Sequence, residues 1–382
     1  MKSLTLKDAG GDYFEYLVGM CFTTFIPRPV VSGVFDNGAF MNGKCLKFLQ
    51  YASVFVLIAI GMFFLFAIAV EFLETSLVLF AVLLVYIAYC GKVLPEIDRR
   101  REKKQVEGTG VQNTLSGTLK VDPVESVKSS PFREVITFLS LTVVSFLLLH
   151  LLVLLVHEFS HSFLACFIGA KQDPWDIVYG NWIGAHWDEN VDYSVLFAAG
   201  RGPAAAAIAF AGPLSNIVLF FVTAGLMSAS TVKKHRGAYH CVFWTCIITF
   251  VMVFEYVFTR SFLKADDFGN INHGLGISPW PIFIAGTLLG IPGLYYLLAY
   301  KLPEYHSIVT LHKRPLQYVA VSAVSFVVFL FYIGLRITAY PVIPEWWSGF
   351  IGIAALFIVP FIASPGRRWV QERMKRSVKG GG

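Results

Sequence analysis

His157 and His161 stand four residues apart, with Glu158 beside the first, in the run His157-Glu158-Phe159-Ser160-His161. On a helix, residues four apart share one face, so both imidazoles can reach a single ion while the glutamate lies alongside. Zinc favours imidazole nitrogen, and an open coordination position holds a water whose pKa falls to ~7. Glu158 then accepts the proton of that water and passes it to a leaving amine, which is peptide hydrolysis. Ordinary residue frequencies produce this pattern by accident in roughly 1% of chains of this length, so coincidence is the weaker explanation. The setting weakens it further. The motif closes the apolar run Phe146 to Val156, where ionisable side chains are expensive in lipid and are functional candidates by default. His150, two turns earlier, reads better as a packed helix residue than as a ligand.

A catalytic zinc needs a third protein ligand. The segment Lys264 to His273 offers Asp266 and Asp267, adjacent acids beside apolar sequence, with a helix cap as the bland reading. His186 and His273 are weaker alternatives, and Glu255 lies within an apolar stretch where a carboxylate also needs a reason. A further motif, Phe210-Ala211-Gly212-Pro213-Leu214-Ser215-Asn216, combines helix-bending residues with an amide that could hold an extended strand. Packing through small residues is the simpler account of it, and the Gly200-Arg201-Gly202-Pro203-Ala204 run speaks for that account.

The elements that must carry these residues are membrane helices. The chain is 56% hydrophobic and 15% charged, against roughly 45–50% and about 25% in soluble domains. About 20 apolar residues cross a ~30 Å hydrocarbon core. Phe48–Phe72, Thr75–Leu94, Val135–Val156, Ala204–Ala229, Ala238–Phe258, Pro281–Tyr300, Tyr318–Ala339 and Ser348–Ala363 approach or meet that length, predicting an all-α polytopic bundle of about eight spans. The chain divides into a cap or interfacial segment (1–47), a transmembrane hairpin (48–94) and a polar linker (95–133). A zinc-binding core (134–278), C-terminal membrane helices (279–364) and a basic tail (365–382) follow. The six cysteines have neither metal-finger nor disulfide-framework spacing and read as small apolar residues. The start carries Lys2, Lys7, Asp8 and Asp12 without an apolar core, so no cleavable signal peptide is expected.

The net charge of +6 has no basic stripe interleaved with aromatics, so nucleic acid is not an expected partner. Lysine and arginine collect in the loop after the second span, at Lys233 to Arg236, at Lys313-Arg314 and in the tail. With eight spans these lie on one side and place both termini in the cytoplasm.

Together these residues resemble the site-2 protease family of intramembrane zinc metalloproteases, as a divergent member. The resemblance runs over roughly Val135 to Ile277: His-Glu-Phe-Ser-His in one span, Ala-Gly-Pro-Leu-Ser-Asn in the next, and an aspartate beyond. Phe268 follows Asp267 where the family commonly has Leu-Asp-Gly, and the charge pattern puts His161 near the face opposite the family's usual cytoplasmic opening. The resemblance implies His157, His161 and Asp267 as zinc ligands, Glu158 as general base and Asn216 as a substrate- or oxyanion-positioning group. It also implies a membrane-anchored or membrane-associated protein as substrate. If Asp267 opens a helix, Asp266 is left to cap it. The competing expectations are a membrane zinc peptidase of another class, with Glu255 completing the site, and a non-catalytic zinc-binding scaffold. An intact Glu158 speaks against the scaffold.

Overall fold

The structure, a computed structural model, describes residues 73–108, 131–181, 184, 186–335 and 345–379. The expected cap (1–47), the span Phe48–Phe72 and most of the expected linker lie outside the described residues. Those described form helices: α1 (Leu73–Ala88), α2 (Leu94–Gly108), α3 (Pro131–Phe167), α4 (Tyr193–Ala198), α5 (Gly202–Leu226), α6 (Ser230–Lys234) and α7 (Arg236–Glu255). The chain continues through α8 (Asp267–Leu275), α9 (Pro279–Tyr296), α10 (Leu302–Ile308), α11 (Arg314–Ser325), α12 (Glu345–Ile362) and α13 (Arg368–Lys379). Wider π-helical turns occupy Tyr89–Val93, Tyr256–Arg260, Leu297–Lys301 and Phe326–Gly334 and keep neighbouring helices continuous. No strand occurs among the described residues; Val178 and Asp188 form an isolated antiparallel bridge.

Among the described residues, five helical stretches are long and apolar enough to cross a membrane: Phe132–Phe167, Gly202–Leu226, Arg236–Arg260, Pro279–Ile308 and Arg314–Gly334. Burial sorts them. In Arg236–Arg260 and Arg314–Gly334, 72% of the apolar window is buried inside the protein, against 17% in Pro279–Ile308, so the first two are central and the last peripheral. The centre is aromatic: Phe243 stacks on Tyr305 at 4.2 Å between ring centres, and Trp244 and Tyr239 are fully buried. The peripheral helix shows Leu288 and Leu289 outward. Its inner face carries Gly286, Gly290 and Gly293, where added Cβ atoms would overlap Val257, Phe254 and Phe250. Small residues let helix backbones approach where a bilayer supplies no hydrophobic drive between helices. Ser348–Ile362 is a shorter apolar helix.

Two of the expected segments carry helix. Residues 95–108 of the expected linker lie in helix α2, which continues α1 through the π turn just before Pro95. Proline lacks the N–H that the ladder needs, and the wider turn accommodates the loss. Asp98 pins this extension: it is 2% exposed and accepts from Tyr318 Oη at 2.8 Å, from the Gly366 amide at 2.9 Å and from Ser364 Oγ. The basic tail is also packed. Val370 and Met374, four apart on α13, are buried, and Ser307 Oγ donates to the Met374 carbonyl.

The long helix α3 carries the His-Glu motif. Its 37 residues rise ~55 Å, and Glu134 at the start pairs with Lys313 at 3.0 Å. His157 lies ten residues before the other end. Helix α5 packs against α3, and α8 against α5, with Gly202 and Gly274 so close that a Cβ on either would overlap the other's carbonyl.

Candidate metal centre

His157 and His161 are each 1% exposed and Glu158 is 5% exposed, so the motif faces the protein interior. Helix α5 supplies the opposing wall. A Cβ at Gly212 would overlap the Nε2 atoms of both histidines, so only glycine leaves room for the imidazoles. Pro213 follows within the helix and deprives the Ala209 carbonyl of its usual donor. The adjacent Ile208 carbonyl accepts from His161 Nδ1 at 2.6 Å. With its proton on Nδ1, His161 presents a lone pair on Nε2, the form a metal ligand needs.

Asn216 does the same for His157. Its side-chain amide lies 2.9 Å from His157 Nδ1, is 1% exposed, and leaves Oδ1 without a partner. The two ends of an amide exchange by rotation. With Oδ1 accepting from His157 Nδ1–H, the orphaned oxygen is satisfied and Nε2 is freed. Asn216, expected to position substrate or an oxyanion, has its amide behind His157, on the ring atom remote from the cluster.

The third group is Asp267. It is the first residue of α8, and Asp266 caps that helix, its Oδ1 accepting from the Asp267 amide at 2.8 Å. Asp266 adopts φ +83°, a region that non-glycine residues rarely occupy. Arg260, from the preceding π turn, holds the other Asp266 oxygen. Arg260 also reaches Glu255 at 3.2 Å and lies 4.0 Å over the Tyr256 ring. Tyr256 in turn meets the His157 ring edge-on, 5.6 Å between centres. This arginine-centred support aims Asp267 at the histidines.

Each imidazole Nε2 meets a different oxygen of the Asp267 carboxylate, and the two nitrogens meet each other. His157 Nε2 is 3.1 Å from Asp267 Oδ2, His161 Nε2 is 3.3 Å from Asp267 Oδ1, and the two Nε2 atoms are 3.2 Å apart. Ligands ~2.0–2.1 Å from a tetrahedral zinc lie ~3.3 Å from one another. The residues fit such an ion, with nitrogen and carboxylate donors and both imidazoles oriented from behind.

The remaining sequence candidates lie outside this cluster. His150 bonds Tyr332 Oη at 2.7 Å, and His273 stacks on Phe197. Glu255 accepts from Thr259 and Arg260, and His186 belongs to neither metal-capable group among the described residues. The residue that sequence reading missed is Glu189. Its carboxylate joins Glu158 and His161 in a second group whose ligand atoms lie within 4.8 Å of one another. The segment after α3 doubles back along that helix. Ser162 Oγ donates to the Pro174 carbonyl at 2.8 Å, Trp175 packs on Phe159 and Phe163, and a Cβ at Gly184 would overlap His150. The available signal was weak: one glutamate among the aspartates of an acid-rich stretch.

Among the ionisable groups outside the apolar spans, burial raises the Glu189 and Asp266 carboxyls. Burial also acts against ionisation of Asp267, but His161 and His157 outweigh it and hold that carboxyl below the usual aspartate range. No protein-family model, curated protein or solved structure matches this chain.

Proposed function

We propose that the chain is an intramembrane zinc metalloprotease, a divergent relative of the site-2 proteases, which hydrolyses a peptide bond of a membrane-anchored or membrane-associated protein. The observation that carries this reading is the convergence of two histidines and an aspartate at tetrahedral spacing beside a buried glutamate. His157, His161 and Asp267 hold the metal. Zinc bound there supplies a Lewis acid that makes water nucleophilic near neutral pH. Glu158 takes the proton of the water that attacks the peptide carbonyl and delivers it to the departing amine nitrogen. Ile208 and Asn216 keep the imidazoles in the ligating tautomer, and Gly212 keeps the space in front of them clear.

Zinc content tests the site directly. The purified protein should carry about one zinc per chain, and His157→Ala and Gly212→Val should both lose it. The second variant removes no ligand and acts only through the overlap, so zinc retention there would contradict the geometry, and a zinc-free wild type would sink the reading.

The proposal includes about eight spans. The five long helices are joined by Phe48–Phe72, by the apolar stretch Thr75–Leu94 and by Ser348–Ile362, with both termini in the cytoplasm. In a cysteine-free background, a cysteine at Asn181 should react with an impermeant thiol reagent from outside, and one at Gly110 only after the membrane is broken. The reverse pattern would turn the site toward the cytoplasm.

A further inference from the structure

Glu189 reaches the centre by a separate route from the other residues. Residues 171–181 and 186–192 form the two arms of the returning segment, bridged where the Val178 and Asp188 amides donate to each other's carbonyls at 3.0 and 3.1 Å. Side chains alternate along an extended arm. Asp188 and Asn190 are exposed, while Glu189 between them is buried at 7% exposure. Asn190 fixes that register. It takes φ +55°, its amide N–H donates to Asp188 Oδ1 at 2.6 Å, and its Nδ2 donates to Asp176 Oδ2 at 2.9 Å. Lys171 Nζ donates to the Glu189 carbonyl. Tyr193 Oη donates to Glu189 Oε1 at 2.5 Å and is set by the first turn of α4, which Asp192 caps.

Six contacts thus turn one carboxylate toward His161 and Glu158, and none of them relieves its charge fully. Glu158, Glu189 and Asp267 bring three buried carboxylates around two imidazoles. Like charges at this separation in a low-dielectric interior repel strongly, and a proton or a cation among them relieves the repulsion. Arg260, the guanidinium beside Asp267, is already engaged with Asp266 and Glu255. His161 belongs to both metal-capable groups, so an ion held by His157, His161 and Asp267 would draw any fourth protein ligand from the group that adds Glu158 and Glu189.

We propose that Glu189 closes the fourth position as a displaceable ligand of the resting centre, held in place by Tyr193 and exchanged for water when substrate enters. The inference rests on the zinc-site reading above and adds a ligand to it. Occupancy of the open position by a protein carboxylate keeps the resting centre inactive until the Glu189 arm yields.

Cobalt reports coordination independently of hydrolysis. The full-length protein in detergent micelles, loaded with Co2+, is compared by visible absorption with Glu189→Gln and Tyr193→Phe, and zinc affinity is measured by chelator competition. The expected result is a changed ligand-field spectrum in Glu189→Gln, with zinc binding weakened by at least about 10-fold, the lower end of what losing even an outer-shell partner costs. Tyr193→Phe keeps the carboxylate and should move the same readouts less. Spectra and affinities identical to wild type in both variants would overturn the proposal and leave the three-ligand site intact. Loss of hydrolysis in Glu189→Gln without any spectral change would overturn it too, making Glu189 a proton carrier. Failure of the wild type to take up cobalt would remove the underlying site as well, and so separates the two readings.

Discussion

Glu158→Gln is expected to retain zinc and its melting temperature while losing hydrolysis by roughly 10²–10⁴-fold, the usual worth of a positioned general base. The reasoning is steric and chemical at once. Glutamine has nearly the same volume, so the packing around a side chain only 5% exposed is preserved. Glu158 lies outside the close cluster of the two imidazole Nε2 atoms and the Asp267 carboxylate, so metal affinity is not expected to depend on it. What the amide lacks is a lone pair basic enough to accept a proton. Zinc content, thermal unfolding and cleavage of a membrane-anchored substrate are measured on the same preparation. Cleavage near the wild-type rate would end the general-base assignment. Equal loss of zinc and activity would instead make Glu158 a ligand.

The second large effect separates two adjacent aspartates. Asp267→Ala should weaken zinc binding by more than about 100-fold, since it removes a ligand itself, and loss of an outer-shell partner alone costs 10–100-fold. Asp266→Ala should keep zinc at the cost of stability. Loss of a cap contributes about 1 kcal/mol, and the structure adds a larger cost than the sequence suggested. The side chains of Arg260 and Asp266 are only 16% and 20% exposed, and removing Asp266 takes one of the two carboxylates that compensate this largely buried guanidinium. Alanine also tolerates the φ of +83° less well than aspartate. Asp266→Asn, which keeps the cap and suits the backbone, should recover part of the loss. Equal zinc retention in Asp266→Ala and Asp267→Ala, measured by metal analysis, would remove this loop from the site.

The apolar stretches, the helical spacing of His157 and His161, and the aspartate pair at a helix start were legible because each depends on local periodicity. An i,i+4 pair shares a face wherever its helix packs, and ~20 apolar residues span a bilayer whatever surrounds them. The helix over residues 95–108 of the expected linker was not legible, because their polarity hides packing that Asp98 makes with partners more than 200 residues away.

The sequence by itself determined which residues had suitable chemistry: two imidazoles and a glutamate on one helix, and an aspartate at the start of another. Only the tertiary structure decided who meets whom. Asp267 reaches His157 across 110 positions of chain because glycines at 202, 212 and 274 let α3, α5 and α8 approach. Asn216 backs His157, and Glu189 enters along an arm whose path no periodicity records. The physical reason is common to all three. Helix rise and side-chain period are set within a few residues, whereas the distance between two helices is set by the side chains absent from their contact.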